Sequence, residues 1–324
     1  MFPELFEIPF IHLTLKSYGL MMVIGFLAAV SLIRRLSRNI TPDPQLITNA
    51  ALYSLIGGVV GARLFYVIHY FEHFKEDPVS VFAIWHGGLE LLGGVLLAIT
   101  IIFFYLLYHK LPIRRYLDIL AIALMLALVF GRIGCLLNGC CFGKPTNLPW
   151  GIRFPYNSIP YLSQINPDLE RNRSAPQLEL PREYLSFIDK DGKWHPKPYE
   201  DLTEQQKFEV TKSKYRCLPV HPTQLYTSAG AAVLCLILYF FWRRSQNASS
   251  SKTAGKILTR PGSTFALMFV LYGLIRFLIE FLRDDNPFEF DNLTISQIIA
   301  IAMIILGALL MVILQIVKPK TRKS

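Results

Sequence analysis

The sequence predicts an all-α integral membrane protein of about seven transmembrane helices, its N-terminus outside, its C-terminus cytoplasmic, and a polar extracytoplasmic insertion between spans four and five. Three observations predict it. The 324-residue chain is 52% hydrophobic and only 17% charged, against ~25% charged in ordinary soluble chains, too much apolar surface for a soluble core to hide. Its apolar residues gather in runs near the ~20-residue length that crosses a bilayer. Basic residues cluster on alternate connections between those runs. The net charge of +10 is therefore read as Lys and Arg beside anionic lipid heads, not as a nucleic-acid footprint.

In chain order, the runs lie near 13–33, 47–69, 89–108, 117–137, 222–242, 263–282 and 295–317. The stretch before them carries Glu4 and Glu7, with Lys16 the first basic residue, so it does not read as a secretory signal. Arg34, Arg35 and Arg38 follow the first run, Lys110, Arg114 and Arg115 the third, and Arg243, Arg244, Lys252, Lys256 and Arg260 the fifth. Lys318, Lys320, Arg322 and Lys323 end the chain. If seven spans alternate, these groups share one side, which the positive-inside rule assigns to the cytoplasm. QNASSSKTAGK (246–256) reads as a flexible connection.

Three parts follow: spans one to four (1–143), an extracytoplasmic arm (144–220) and spans five to seven (221–324). The arm is Pro-rich and polar, too long for a plain connector, and reads either as an insertion without a role or as a lid or docking surface. Within it DLTEQQKFEV predicts a short helix and DKDGKW a turn. DKDG also begins like a calcium loop, but the later ligands of such a loop are missing.

Ionisable residues inside spans are expensive and read by default as functional. Here they are Arg63, Asp118, Arg132, Arg276 and Glu280, with Glu90 and Arg283 near span ends. Pairing between helices is the plainer account, and Glu280 follows Arg276 by one helical turn. It does not absorb all the arginines. Tyr272, Arg276 and Arg283 recur on one helical face, and Arg132 is expected at the same outer depth. Several guanidiniums with few carboxylates call for an anion, and in a membrane the obvious one is a lipid phosphate, which the planar guanidinium grips with two parallel hydrogen bonds.

GRIGCLLNGCCFGKPTNLPWG (131–151) resembles the signature region of the prolipoprotein diacylglyceryl transferases. SYGLMMVIGF (17–26), GARLFYV (61–67), GGLELLGG (87–94), HPTQLY (221–226) and YGLIRFLIEFLR (272–283) resemble further motifs of that family, in the right order. The resemblance covers nearly the whole chain except 156–216. It implies a seven-span enzyme of the bacterial cytoplasmic (inner) membrane that moves the diacylglyceryl group of phosphatidylglycerol to the lipobox cysteine thiol of a preprolipoprotein. Its partners are then that lipid, that lipobox peptide and the membrane, with no nucleic acid and no cofactor. It implies Arg132, Arg276 and Tyr18 as catalytic residues, with Asn138, Gly143, Tyr272, Glu280, Arg283 and Arg63 also at the substrate.

The sequence departs from the family pattern where protons would be handled. Cys135 replaces an Asn of the signature and Cys140 a Glu, while Leu92 stands where many members carry His and Glu90 where they carry Ser. His221 and His86 are the remaining candidate bases. The adjacent pair Cys140 and Cys141 lacks zinc-site spacing, and no metal is expected. Cys140, Cys141 and Cys217 all fall on the expected oxidising side. Either Cys217 bridges to Cys140 or Cys141, or all three are free. The rival functional readings are a non-catalytic phospholipid-binding homologue and a transporter. A transporter would fit the charged spans, but no inverted repeat is visible.

The topology is checked by cysteine-accessibility labelling. Single cysteines near 190 and near 250 are expected to label from opposite sides of the membrane, and labelling of both from one side rejects the assignment.

Overall fold

The structure, a computed structural model, describes residues 4–8, 13–38, 40, 43, 45–75, 78–82, 88–190, 192–249, 260–289 and 292–316. An antiparallel hairpin of β1 (Glu4–Ile8) and β2 (Leu13–Lys16) runs directly into α1 (Ser17–Ser37). Next come α2 (Gln45–His69), the single turn α3 (Phe71–Phe74), α4 (Leu91–Tyr108) and α5 (Ile113–Asn138). The insertion holds α6 (Ile159–Ile165), a second hairpin of β3 (Leu185–Ile188) and β4 (Trp194–Pro196), and α7 (Glu204–Lys212). The chain closes with α8 (Thr223–Ser249), α9 (Ser263–Glu280) and α10 (Ile295–Ile316).

Six of these helices, α1, α2, α5, α8, α9 and α10, are long and apolar enough to cross a membrane. The third expected span appears as α4, which is apolar but shorter. Its 18 residues rise about 27 Å, slightly less than the ~30 Å hydrocarbon core. The fold is thus an all-α multi-pass membrane protein with two small hairpins added. Many large apolar side chains, among them Val60, Ile99, Phe240 and Ile305, face outward, as expected where the surrounding solvent is lipid.

At the centre is α5, which packs against α1, α8 and α9. Its Ile119, Ala121, Ile122 and Ala123 are fully buried against Leu234, Leu238 and Met268. On the same helix Asp118 is buried and, among the described residues, is not paired with a cation. Its carboxylate accepts the N–H groups of Gly262 (2.7 Å) and Phe265 (3.0 Å). A side chain of α5 therefore caps the free N-terminus of α9, where orphan donors and the helix dipole favour a negative charge.

Around this centre, helices pair through small residues, which let backbones approach closely in lipid. Helix α2 lies on α4, and α9 on α10. A Cβ on Gly61 would sit 2.5 Å from the carbonyl oxygen of Gly93, and one on Gly273 would sit 2.8 Å from that of Ala300.

The insertion folds around two small cores. One joins Phe142, Phe154, Tyr161, Ile165, Leu178, Cys217 and Val220, and the other Tyr184, Leu202 and Val210. The expected helix is α7, which starts with a capping box: Thr203 accepts from the Gln206 N–H, and Gln206 accepts from the Thr203 N–H. The turn expected at DKDGKW joins β3 to β4, with Gly192 at φ 76°.

Where the insertion meets the spans, the chain after α5 is held between two other segments. The Gly143 N–H donates to His221 O (3.1 Å), His221 N–H to Lys144 O (3.0 Å) and Lys144 N–H to Leu282 O (2.8 Å). A Cβ on Gly143 would lie 2.6 Å from both Cβ and O of His221 and 2.8 Å from Leu282 O. Gly143→Ala is expected to cost about 1–3 kcal/mol, the usual range for overpacking, read as a lowered thermal unfolding midpoint in detergent.

Candidate active site

Arg132 lies on the last two turns of α5, and Tyr272 and Arg276 lie one turn apart on α9. Because α5 and α9 pack together, Arg132 comes within electrostatic reach of Tyr272 and Arg283, and Arg276 within reach of Arg132, Tyr272, Glu280 and Arg283. Tyr18, in the first turn of α1, joins them. Its ring lies 3.1 Å from where a Cβ on Gly134 would sit, and Arg132 is within its electrostatic reach. Asn138 is the last residue of α5, two residues before Cys140. The expected single helical face extending to Arg283 is corrected: α9 stops at Glu280, and Arg283 is brought in by the turn that follows.

The guanidiniums differ in what they are already bound to. Arg276 Nη1 is 2.6 Å from Glu280 Oε2, although that oxygen has no aligned hydrogen bond, so the attraction there is chiefly coulombic. Arg276 Nη2 donates to Ser296 Oγ at 2.7 Å. The other oxygen of Glu280 accepts from Asn286 (2.5 Å) and Thr294 (2.9 Å). Arg283 donates both Nε (2.8 Å) and Nη2 (2.7 Å) to the Asp285 carboxylate. Within this cluster Arg132 stands apart: among the described residues its buried Nε has no hydrogen-bond partner, whereas Arg276 and Arg283 are paired with Glu280 and Asp285.

Arg63 is occupied differently. It donates to the carbonyl oxygens of Ser80 (2.6 Å), Val81 (2.8 Å) and Gly88 (3.0 Å) and lies over the rings of Tyr66 and Phe74. It clasps the segment leading into α4. His221 sits in the backbone clamp around Gly143, with Nδ1 3.4 Å from Tyr226 Oη, which itself accepts from Trp150 Nε1 (2.7 Å). Leu92 is 64% exposed, and Glu90 pairs with His69 at 2.7 Å. His86 lies outside the described residues.

The disulfide considered for Cys217 does not form: all five cysteines are free thiols. Cys217 points into the first insertion core, donating to Gln164 Oε1 at 3.4 Å, and burial raises its thiol to about 11. The other three thiols gather elsewhere. Cys135, Cys140 and Cys141 hold their sulfurs within 4.8 Å of one another, a grouping the adjacent-pair spacing gave no reason to expect.

Sequence reasoning also missed the residues that lock the arm to the spans. Buried Asp284 accepts from Arg173 Nη1 (3.0 Å) and Gln177 Nε2 (3.2 Å), and Arg171 Nε is 3.5 Å away. Arg171 also donates to Arg283 O (2.7 Å) and to Asn286 O. The acidic pair after Arg283 and the ERNR stretch were visible, but nothing in their positions says that they meet.

The fold and site together define a multi-pass membrane protein that keeps a cluster of guanidiniums between its spans, one of them without a protein acceptor at its buried Nε. Within that class the chain belongs to the prolipoprotein diacylglyceryl transferase family, whose sequence profile matches residues 3–313. It is 27% identical over 305 residues to a phosphatidylglycerol–prolipoprotein diacylglyceryl transferase of Clostridium tetani, covering 94% of each chain. It is 28% identical over 307 residues to the protein of that name from Synechococcus elongatus (95% of this chain, 85% of the relative). To that of Buchnera aphidicola it is 29% identical over 323 residues, covering 96% of each.

Two outcomes follow from the geometry. Asp284→Ala strands buried cationic partners and is expected to destabilise the arm by about 3–5 kcal/mol, seen as faster proteolysis within 144–220. Cys217, buried and with its pKa raised, is expected to resist alkylation in the folded protein at neutral pH and to react on denaturation.

Proposed function

We propose that the protein transfers the diacylglyceryl group of phosphatidylglycerol to the lipobox cysteine thiol of preprolipoproteins in the bacterial cytoplasmic membrane, forming a thioether and releasing glycerol 1-phosphate. The observation that carries this reading is the unpartnered buried Nε of Arg132, beside arginines already tied to carboxylates. A buried guanidinium N–H lacking an acceptor is costly, and a lipid phosphate supplies one. Membership of the family, and relatives named for this lipid and this protein substrate, support the choice of anion.

In this reading Arg132 and Arg276 hold the phosphate, and Glu280 with Ser296 fixes the Arg276 guanidinium. Tyr18, Asn138, Tyr272 and Arg283 line the lipid headgroup. Arg63 acts at a distance by securing the approach to α4, and Gly143 by allowing the close backbone clamp. The incoming sulfur bonds to the glycerol carbon that bears the phosphate. That carbon–oxygen bond breaks, and its electron pair leaves on the phosphate oxygen, where preorganised guanidiniums stabilise the growing charge. The same field favours the thiolate form of the attacking cysteine, whose proton goes to solvent. The arm, 144–220, lies outside the membrane on the side from which the preprolipoprotein is presented, anchored through Asp284.

The test is transfer from phosphatidylglycerol to a lipobox peptide, read as a diacylglyceryl mass shift with released glycerol phosphate. Arg132→Ala is expected to lose at least about a hundredfold, the usual cost of removing one transition-state donor. Arg132→Lys should also fail largely, since a point charge lacks the fork geometry. Near-normal turnover in Arg132→Ala rejects the phosphate role. His221→Ala and His86→Ala are expected to keep at least about a tenth of the rate, a change near 1.4 kcal/mol. The rate is expected to climb with pH toward the thiol pKa of the peptide, ordinarily about 8.5. A far larger loss in either variant, rescued by added imidazole, identifies a histidine base instead.

A further inference from the structure

The end of α5 is built in a way that phosphate binding does not explain. Gly139 takes the left-handed conformation (φ 81°) and stops the helix. The Cys140 N–H then folds back to the carbonyl of Cys135 at 3.1 Å, the pattern of a helix closed by a left-handed residue. Cys141 is left-handed too, at φ 59°, a conformation with a cost for any residue bearing a side chain. The next helix to pack there pins this turn. Thr223 Oγ1 donates to Cys141 O (2.7 Å) and Gln224 Nε2 to Cys140 O (2.8 Å), both from buried side chains. Gly143, two residues on, is clamped between His221 and Leu282. The backbone carrying two thiols is therefore fixed, and it faces the third on the last helical turns of α5.

We propose that Cys135, Cys140 and Cys141 form a metal site that takes one thiophilic d10 cation, Zn(II) or Cu(I), as a three-thiolate complex. The three sulfurs already lie within 4.8 Å of one another. Three sulfurs at ~2.3 Å from one ion are separated by about 3.8 Å, so small side-chain rotations close them on it. A disulfide needs two sulfurs at about 2.05 Å, a far larger movement that would also leave the third thiol unused. Soft thiolates select Cu(I) and Zn(II) among available metals. Three ligands complete a trigonal Cu(I) complex, whereas Zn(II) keeps a fourth position for water or an incoming ligand. Charge also fits. Three thiolates on a divalent ion carry one net negative charge, and Cys141 lies within electrostatic reach of both Arg132 and Arg283. Cys135 and Cys140 are also two of the positions at which this sequence departs from the family signature. The binding claim does not depend on the transfer reaction.

The experiment uses the full chain, reduced and purified in detergent under nitrogen. It is offered Zn(II), or Cu(I) held by a competing chelator, and then desalted. Bound metal is measured by mass spectrometry, and thiol alkylation is mapped with and without metal. The expected result is uptake of about one ion per chain, with Cys135, Cys140 and Cys141 protected together while alkylation of Cys235 is unchanged. Which metal survives chelator competition decides between the two cations. Cys135→Ser, Cys140→Ser and Cys141→Ser should each lower uptake at least about tenfold, equivalent to about 1.4 kcal/mol, while Cys235→Ser should not. Helical circular dichroism checks folding, and the protection pattern in the unmutated protein needs no variant. Absence of uptake of either metal overturns the proposal. So does uptake unaffected by the three substitutions, or a disulfide joining two of the three thiols in protein isolated without oxidant.

Discussion

Charge placed among membrane spans must be neutralised locally, because lipid supplies neither water nor counter-ions. Much of this structure follows from how that requirement is met at each ionised side chain. Asp118 meets it with backbone N–H groups at the start of α9, so a buried carboxylate becomes a helix cap. Arg63 meets it with three carbonyl oxygens. Arg276 and Arg283 meet it with Glu280 and Asp285. Among the described residues Arg132 has no such acceptor at Nε, and the phosphate proposed above would supply it.

The same accounting explains the arm's position. Asp284 follows directly on Arg283, and it draws Arg171 and Arg173 of the insertion down onto the end of α9. The main chain of Arg283 and Asn286 accepts from Arg171 as well. The insertion therefore touches the residues that flank the cationic group. The first of the two small cores is itself shared with the spans, since Phe142, just beyond α5, belongs to it and Leu136 of α5 packs against it.

Close packing supplies the other half of the design. In lipid the hydrophobic effect does not hold helices together, so backbone approach at small residues has to. Gly61 against Gly93 and Gly273 against Ala300 show how tight this is. Gly143 extends it beyond the spans: only a residue without Cβ lets the segment after α5 lie between His221 and Leu282. That clamp, with Thr223 and Gln224, holds the turn bearing Cys140 and Cys141.

Apolar runs of bilayer length identified every long helix and the all-α membrane class, since lipid solvation acts on each span locally and so leaves its mark in the local sequence. Short-range signals served equally well within the arm. DLTEQQKFEV marked α7, and DKDGKW marked the β3–β4 turn, because both depend on neighbours in sequence. The ordered motifs, and with them the family, were also legible in the sequence. Tertiary structure decided the partnerships. Asp118 meets the N-terminus of α9 across more than a hundred residues and Asp284 meets Arg171 and Arg173 across a similar distance; the sequence shows the charges but not that they meet these partners. Cys217 was open to bridging with Cys140 or Cys141 on the grounds of a shared compartment, yet it turns into the arm's core against Gln164. Cys135, five residues before Cys140, joins that pair because Gly139 reverses the chain. Spacing along a sequence carries no direction once a left-handed residue intervenes, and which side chains converge depends on backbone turns that only the packed chain selects.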